Sequence, residues 1–375
     1  MYKVNFLIVT HVVHTQKEGD YYGYSPYVNE MNIWLKQVDK VTILAPLKEV
    51  EMDSIYQKYN HPNINFVSVP EFSFINGKEM IKAVFVMPYI LVKLFWVMIF
   101  ANHIHLRCPG NMGLLGSLIQ ILFPWKRKSA KYAGNWDANS KQPLSYRIQK
   151  YILSNTFLTH NIKVLVYGEW KNQTNNIKSF FTATYFNSEI KEVNPKDLNH
   201  KIRFTFVGTL SKGKQPLYAL QLVEMLKNKG YNVTLSFYGS GSEKKQIENY
   251  IEQQHLDGYV FLKGNTDRSA MMEIYKESHF MILPSKSEGW PKVVAEAMFW
   301  GCLPIVTKVS CVPNMLDFGT RGILLTENNI EDFKLIEAVI LNQEAYNNKI
   351  NKAIQWSRMY TIDKFESEIQ TIVHP

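Results

Sequence analysis

The sequence predicts an α/β protein of two domains, each a parallel sheet covered on both faces by helices. Three observations predict it. Apolar runs of strand length alternate with helix-length runs along the chain, and such alternation with short connections implies parallel strands. A polar stretch, residues 188–200 (SEIKEVNPKDLNH), interrupts the alternation, which then restarts. At 375 residues the chain is long enough for two domains of ordinary size.

Residues 4–10 read as the first strand, since the apolar start MYKVNFLIVTHVV lacks the small-residue cleavage site of a signal peptide. A helix is expected over 26–37, then strands over 40–46 and 64–70. Residues 83–101 (AVFVMPYILVKLFWVMIFA) are almost wholly apolar, with Pro88 as an expected break and Lys93 near the centre. Both argue against a membrane crossing, although the length is at the lower limit for one. The segment is read either as a buried helix of the domain or as a helix lying on a membrane surface. A strand at 103–106, an apolar helix at 113–123 and a strand at 129–133 follow. His103 and His105, two apart on one strand, are read as facing opposite sides and not as a metal pair.

Beyond the polar stretch, strands are expected at 202–207, 233–238, 259–262, 280–283 and 303–306. Helices at 217–228, 243–252, 269–277 and 291–301 alternate with them. A last helix runs from about residue 347 past Trp356 and Tyr360 to Val373. The expected division is residues 1–190, residues 200–350 and a closing helix over 351–375.

The composition, 46% hydrophobic and 20% charged, is that of a soluble globular protein. Cys108, Cys302 and Cys311 have no metal-ligand spacing and read as reduced thiols, which points to the cytoplasm. The net charge of +9 lies entirely in residues 1–185, with 20 basic and 11 acidic residues; the remainder has 22 of each. Lys126, Arg127, Lys128 and Lys131 form its densest run, directly after an apolar helix and Trp125. Apolar surface, an interfacial Trp and clustered cations favour an anionic membrane surface over nucleic acid as partner.

The most informative segment is residues 279–306 (HFMILPSKSEGWPKVVAEAMFWGCLPIV). A buried strand stops at Pro284 and a polar loop carries Glu288. A helix then begins near Pro291, where a missing N–H costs nothing. Gly301 supplies a left-handed stop. A carboxylate and unpaired helix-start N–H groups thus stand at the carboxyl end of a parallel strand, where open α/β sheets bind ligands. Strand 202–207 empties similarly into Gly208-Thr209-Leu210-Ser211-Lys212-Gly213-Lys214, and strand 233–238 into the glycine turn Gly239-Ser240-Gly241.

Residues 284–306 and this loop together resemble the donor-binding region of retaining GT-B glycosyltransferases of the large family four. The resemblance is strong over about residues 200–326 and limited to layout in the first half. It implies two Rossmann-like domains with a cleft between them and a C-terminal helix crossing back to the first. It implies transfer of a hexose-type sugar from a nucleotide-sugar donor to a saccharide acceptor, with retention; the basic, apolar first half makes a lipid-linked acceptor the expectation. Glu288 falls on the family's sugar-contacting glutamate, Glu296 on its ribose-binding one, and Lys214 on its diphosphate-binding lysine. Thr209 replaces the family's arginine, so Lys212 or Arg107 is the expected substitute. Further donor contacts are implied for Gly208, Gly239, Lys263, Gly264, Gly289, Trp290, Pro291, Lys292 and Val293, with Glu288, Lys214 and Arg107 as the catalytic set. Tyr22 and Gly23, in a loop expected at the cleft, with Asn111, Asn135 and Asp137, are the acceptor-side candidates. No Asp-x-Asp occurs, so neither a metal nor another cofactor is expected. The alternatives are another nucleotide-sugar enzyme of this fold (an inverting transferase or epimerase) and a non-catalytic membrane-associated binding module. The place of action is expected to be the cytoplasm, peripheral on the membrane's cytoplasmic face.

Overall fold

In the computed structural model, which describes residues 3–50, 55–72 and 77–374, the chain divides into Met1–Phe181 with Phe365–Pro375, and Thr182–Lys364. The first unit is built on a seven-stranded sheet. Its order is Ile177–Phe180, Ile162–Tyr167, Arg127–Tyr132, His103–Cys108, Asn5–Val9, Lys40–Pro46 and Ile64–Val69. Every neighbouring pair is parallel. Phe6 to Val9 have no exposure at all, as expected of a central strand covered on both faces. Strand order reverses beside Asn5–Val9, whose neighbours are His103–Cys108 and Lys40–Pro46.

Several expectations change here. Residues 18–24 are not a loop. His14–Lys17 and Asp20–Tyr24 form an antiparallel hairpin, to which Tyr56–Lys58 adds a third strand. Its tight turn is Glu18-Gly19, both with positive φ, the geometry that twists a two-residue hairpin correctly. Pro88 does not break its helix, which runs unbroken over Gly77–Phe100. Pro88 is exposed, so the hydrogen bond it cannot make is lost on the solvent side. His103 and His105 share one face: both rings bond the Ser129 hydroxyl at 2.8 Å, as the two-residue period of a strand requires. Helix Leu144–Ser154 and strands Ile162–Tyr167 and Ile177–Phe180 are additions to the sequence reading.

The basic run is largely spent inside the fold. Lys126 donates to the carbonyls of Ile99 and Ala101, each at 2.6 Å. Lys128 donates to those of Gln120 and Phe123. Lys131 is fully buried, 2.9 Å from Glu30, which also pairs with Arg107 at 3.1 Å. Only Arg127 of the four is exposed. The rings of Tyr167, Phe180 and Phe365 stand 5.0 to 5.5 Å from the Lys131 ammonium, cation–π contacts that further offset its burial.

The second unit is a six-stranded parallel sheet in the order Val260–Gly264, Val233–Tyr238, Ile202–Val207, Phe280–Leu283, Leu303–Thr307 and Ile323–Leu325. The order reverses between Ile202–Val207 and Phe280–Leu283. The expected last helix is two helices, Gln343–Ser357 and Ile362–Val373.

Candidate functional site

The reversal point of the second sheet brings together the two loops singled out from the sequence. In a doubly wound sheet, chains leaving adjacent strands in opposite directions open a crevice at the carboxyl ends. The Lys286 N–H donates to the Gly213 carbonyl at 2.8 Å, joining the loop after Phe280–Leu283 to the loop after Ile202–Val207. The glycine turn closes on the same loop from the other side. A Cβ on Gly239 would lie 2.0 Å from the Gly208 carbonyl oxygen, and one on Gly241 2.3 Å from that of Leu210. Only glycine permits such backbone-on-backbone stacking.

Within this crevice the Lys214 ammonium contacts the Glu288 carboxylate. Glu288 is nearly buried and Lys214 partly exposed, with side-chain exposures of 8% and 29%. The pair therefore holds a cation at the mouth of the crevice without burying it. Gln215, in the left-handed region, begins helix Pro216–Asn228 and donates to the Pro284 carbonyl at 2.8 Å, tying the two loops again. Thr209 and Lys212 are both exposed.

The helix after the Glu288 loop is Lys292–Phe299, with Pro291 as its N-cap rather than in its first turn. Gly301 ends it at φ +70°, and the Cys302 N–H closes back on the Ala297 carbonyl at 2.8 Å. Glu296 lies one turn in and accepts from the Thr184 hydroxyl at 2.7 Å. Burial pushes its carboxyl up from the ordinary glutamate value, opposed by the Thr184 hydrogen bond and by Lys292 and Arg268. Arg268 donates to both oxygens of Glu189 at 2.6 and 2.7 Å and to the Thr184 carbonyl. Its guanidinium lies 4.8 Å from the centre of the Tyr185 ring. Thr184, Tyr185 and Arg268 escaped the sequence reading. The first two lie just before the polar stretch, and Arg268 is the first residue of a helix with no motif of its own.

The glycosyl transferases group 1 family matches residues 187–356. That span is a group 1 glycosyltransferase domain. The match takes in both loops of the crevice. A Haemophilus influenzae protein described as an uncharacterized glycosyltransferase is 33% identical over 172 residues, 44% of this chain and 47% of that one. The capsular polysaccharide biosynthesis glycosyltransferase CapM of Staphylococcus aureus is 27% identical over 229 residues, 59% and 56% of the two chains. The matched regions span about half the length of these two relatives. The structure of Anabaena HepE in complex with UDP superposes with a TM-score of 0.69 at 12% identity, over 98% of both chains. The fold class is thus GT-B, with two Rossmann-like units.

In the transferase domain the remaining donor-side candidates divide by setting. Gly264 has φ +72° and open space where a Cβ would stand. Lys263 is exposed, its ammonium 5.1 Å from the Phe261 ring centre. The Gly289 carbonyl accepts from Cys311 Sγ at 3.0 Å. Trp290 packs on Trp356 and Tyr360, with ring centres 6.1 and 5.9 Å away, so its ring anchors the loop to helix Gln343–Ser357. Lys292 and Val293 open the helix below the crevice.

The first-unit candidates are held by their neighbours. Arg107 is committed to Glu30. Tyr22 and Gly23 sit in the middle strand of the small sheet. Asn111 donates to the Phe72 carbonyl at 3.0 Å. Asn135 accepts from the Asp137 N–H, and Asp137 from the Asn139 N–H, each at 2.9 Å; these are turn-forming bonds. Cys108, Cys302 and Cys311 are free and buried, and burial pushes all three thiols up to about 12.

Proposed function

We propose that the protein transfers a hexose-type sugar from a nucleotide-sugar donor to a lipid-linked saccharide acceptor of polysaccharide synthesis, with retention at the anomeric carbon. The observation that carries this is the Lys214–Glu288 contact at the strand-order reversal, with Glu296 one turn into the next helix. Lys214 takes the donor diphosphate and Glu288 the sugar hydroxyls. Glu296, one of whose oxygens accepts from the Thr184 hydroxyl, takes the ribose hydroxyls. The first amides of helix Lys292–Phe299 add to the diphosphate site. As the bond from the anomeric carbon to the phosphate oxygen breaks, the acceptor oxygen bonds that carbon on the same face. The acceptor proton passes to the departing phosphate. The protein's task is to stabilise the charge growing on that phosphate and to hold the partners in line. Lys214 and the helix amides offset that negative charge, so we propose that no metal is required. Arg107 already shares Glu30 with Lys131, which leaves Lys212 as the better candidate to stand in for the arginine replaced by Thr209.

The test is a panel of nucleotide sugars with chelator present, scored for transfer to a lipid-linked saccharide and for product anomeric configuration. Retained configuration from one donor, abolished in Glu288→Ala with nucleotide binding intact, is the expected result. Inverted product would move the reading to an inverting transferase. Nucleotide-sugar binding with neither transfer nor hydrolysis would leave a binding module.

A further inference from the structure

Helix Gly77–Phe100 is apolar on both sides. Ala83, Ile90, Leu94 and Met98 are fully buried in the core of the first unit. On the opposite side Phe85, Tyr89, Val92, Trp96 and Phe100 are 49% to 78% exposed. At 100° per residue these five fall within an arc of about 80°, and they extend about 22 Å along the axis. A contiguous exposed apolar stripe of this kind marks a contact surface. It continues past the helix end. Phe95 packs on Phe123 at 5.5 Å and Phe123 on Trp125 at 5.9 Å, and Trp125 is 69% exposed. Trp125 stands on the rim of a 420 Å³ cavity that Lys3, His103 and Arg127 also line. A second cavity of 570 Å³ shares His103 and Arg127 and adds Lys163. Among the described residues, no carboxylate lines either one.

We propose that this surface docks the protein on an anionic bilayer: the exposed arc of Gly77–Phe100 lies among the upper acyl chains, and Arg127 with Lys3 receives a phospholipid phosphate. The proposal rests on the reading of a lipid-linked acceptor and names the surface that serves it. Charge complementarity selects the occupant. Apolar arc, aromatic rim and cationic concavity follow one another in the order of a bilayer's acyl, interfacial and phosphate layers. A second copy of the chain would set this cationic rim against another, with no carboxylate among the described residues lining either cavity. The inner face of this helix is a layer of the folded core, which favours lying on the bilayer over crossing it. Of the four cations the sequence singled out, Arg127 alone serves here, joined by Lys3, since Lys126 and Lys128 are bound to carbonyls and Lys131 to Glu30.

The experiment is sedimentation of the full chain with vesicles of phosphatidylcholine alone or mixed with phosphatidylglycerol, at low and high salt. Binding is expected to the mixed vesicles and to fall as salt rises. Trp96→Ser with Phe100→Ser is expected to abolish it. Lys3→Glu with Arg127→Glu is expected to weaken it about tenfold or more toward mixed vesicles. All four residues are solvent-facing, and unchanged Tm in both variants guards against misfolding. Failure to sediment with mixed vesicles overturns the docking face. An unaltered anionic preference in the charge-reversed protein overturns the phosphate site. A vesicle-independent dimer lost in Trp96→Ser with Phe100→Ser overturns the bilayer in favour of self-association. Donor hydrolysis by water, measured without vesicles, is expected to be unchanged in every variant. Its loss in the unaltered protein would sink the transferase reading and leave docking to be judged by sedimentation.

Discussion

Lys214 and Glu288 show how much a single contact carries. Neither residue is unusual in composition, and both are common surface types. Held together at the sheet's reversal point, they put a cation and an oriented carboxylate side by side. Lys214→Ala is expected to lower kcat/KM about 10²-fold, the cost of removing one charge-stabilising donor, while Thr209→Arg keeps or raises it. Full activity in Lys214→Ala would end the diphosphate assignment. Glu296 makes a second prediction through its raised carboxyl. Because the folded protein holds that proton more tightly than the unfolded chain, the ionised group destabilises the fold above its raised pKa. Below the ordinary glutamate range, about 4.3, the penalty is absent. Glu296→Gln still accepts from Thr184 and is expected to raise Tm at neutral pH. The gain should shrink to nothing as the pH falls through the raised value and below the ordinary range. Nucleotide affinity in the same variant should drop by about 1–3 kcal/mol through loss of a charged acceptor. A neutral-pH Tm at or below that of the unaltered protein would contradict the burial argument.

At the scale of the element, the glycine turn after Val233–Tyr238 fixes the crevice. Gly239→Ala would place a methyl group 2.0 Å from the Gly208 carbonyl oxygen at a φ of +149°, so backbone must move. A loss of about 3 kcal/mol or more is expected in urea unfolding, together with weaker donor binding. A neutral substitution would mean the two loops are not stacked. This turn was legible in the sequence only as a pair of glycines, because a close approach between two backbones leaves no side chain to read. Strands such as Ile202–Val207 and Phe280–Leu283 were legible to the residue, since full burial demands unbroken apolar runs. The small hairpin was not: in DYYGY the strand is half-exposed, and its single glycine, packed under Val28 and His14, mimics a loop glycine. The basic run misled for a different reason. Lysine patterns report charge, and carbonyl oxygens that absorb that charge belong to the backbone, which has no letter in the sequence. Of the site, residues within a motif were readable, while Thr184 and Arg268 became visible only through the bonds they make around Glu296.

At the scale of the whole molecule, the first unit is completed by Phe365–Pro375, a segment that follows the entire second unit in the chain. Phe365 is 1% exposed, against Phe180 and Phe181 at 5.4 and 5.7 Å. Phe365→Ala is expected to cost about 3–5 kcal/mol. The loss should be confined to one unit: amides of Ile177–Phe180 and Arg127–Tyr132 would exchange faster with solvent, and those of Ile202–Val207 would not. Acceleration in both would show that the segment does not belong to the first unit alone. The same discontinuity sets an order of events at the ribosome. Residues 182–364 all emerge before the last piece of the first unit does, so the second unit is complete while its predecessor still lacks a segment. Until residue 365 leaves the exit tunnel, the Lys131 ammonium lacks one of its covering rings, and Phe180 and Phe181 lack their partner. The half-built sheet is then at its most exposed to chaperones and to aggregation, and a chain truncated just before Phe365 would yield a sound second unit joined to an unfinished first one.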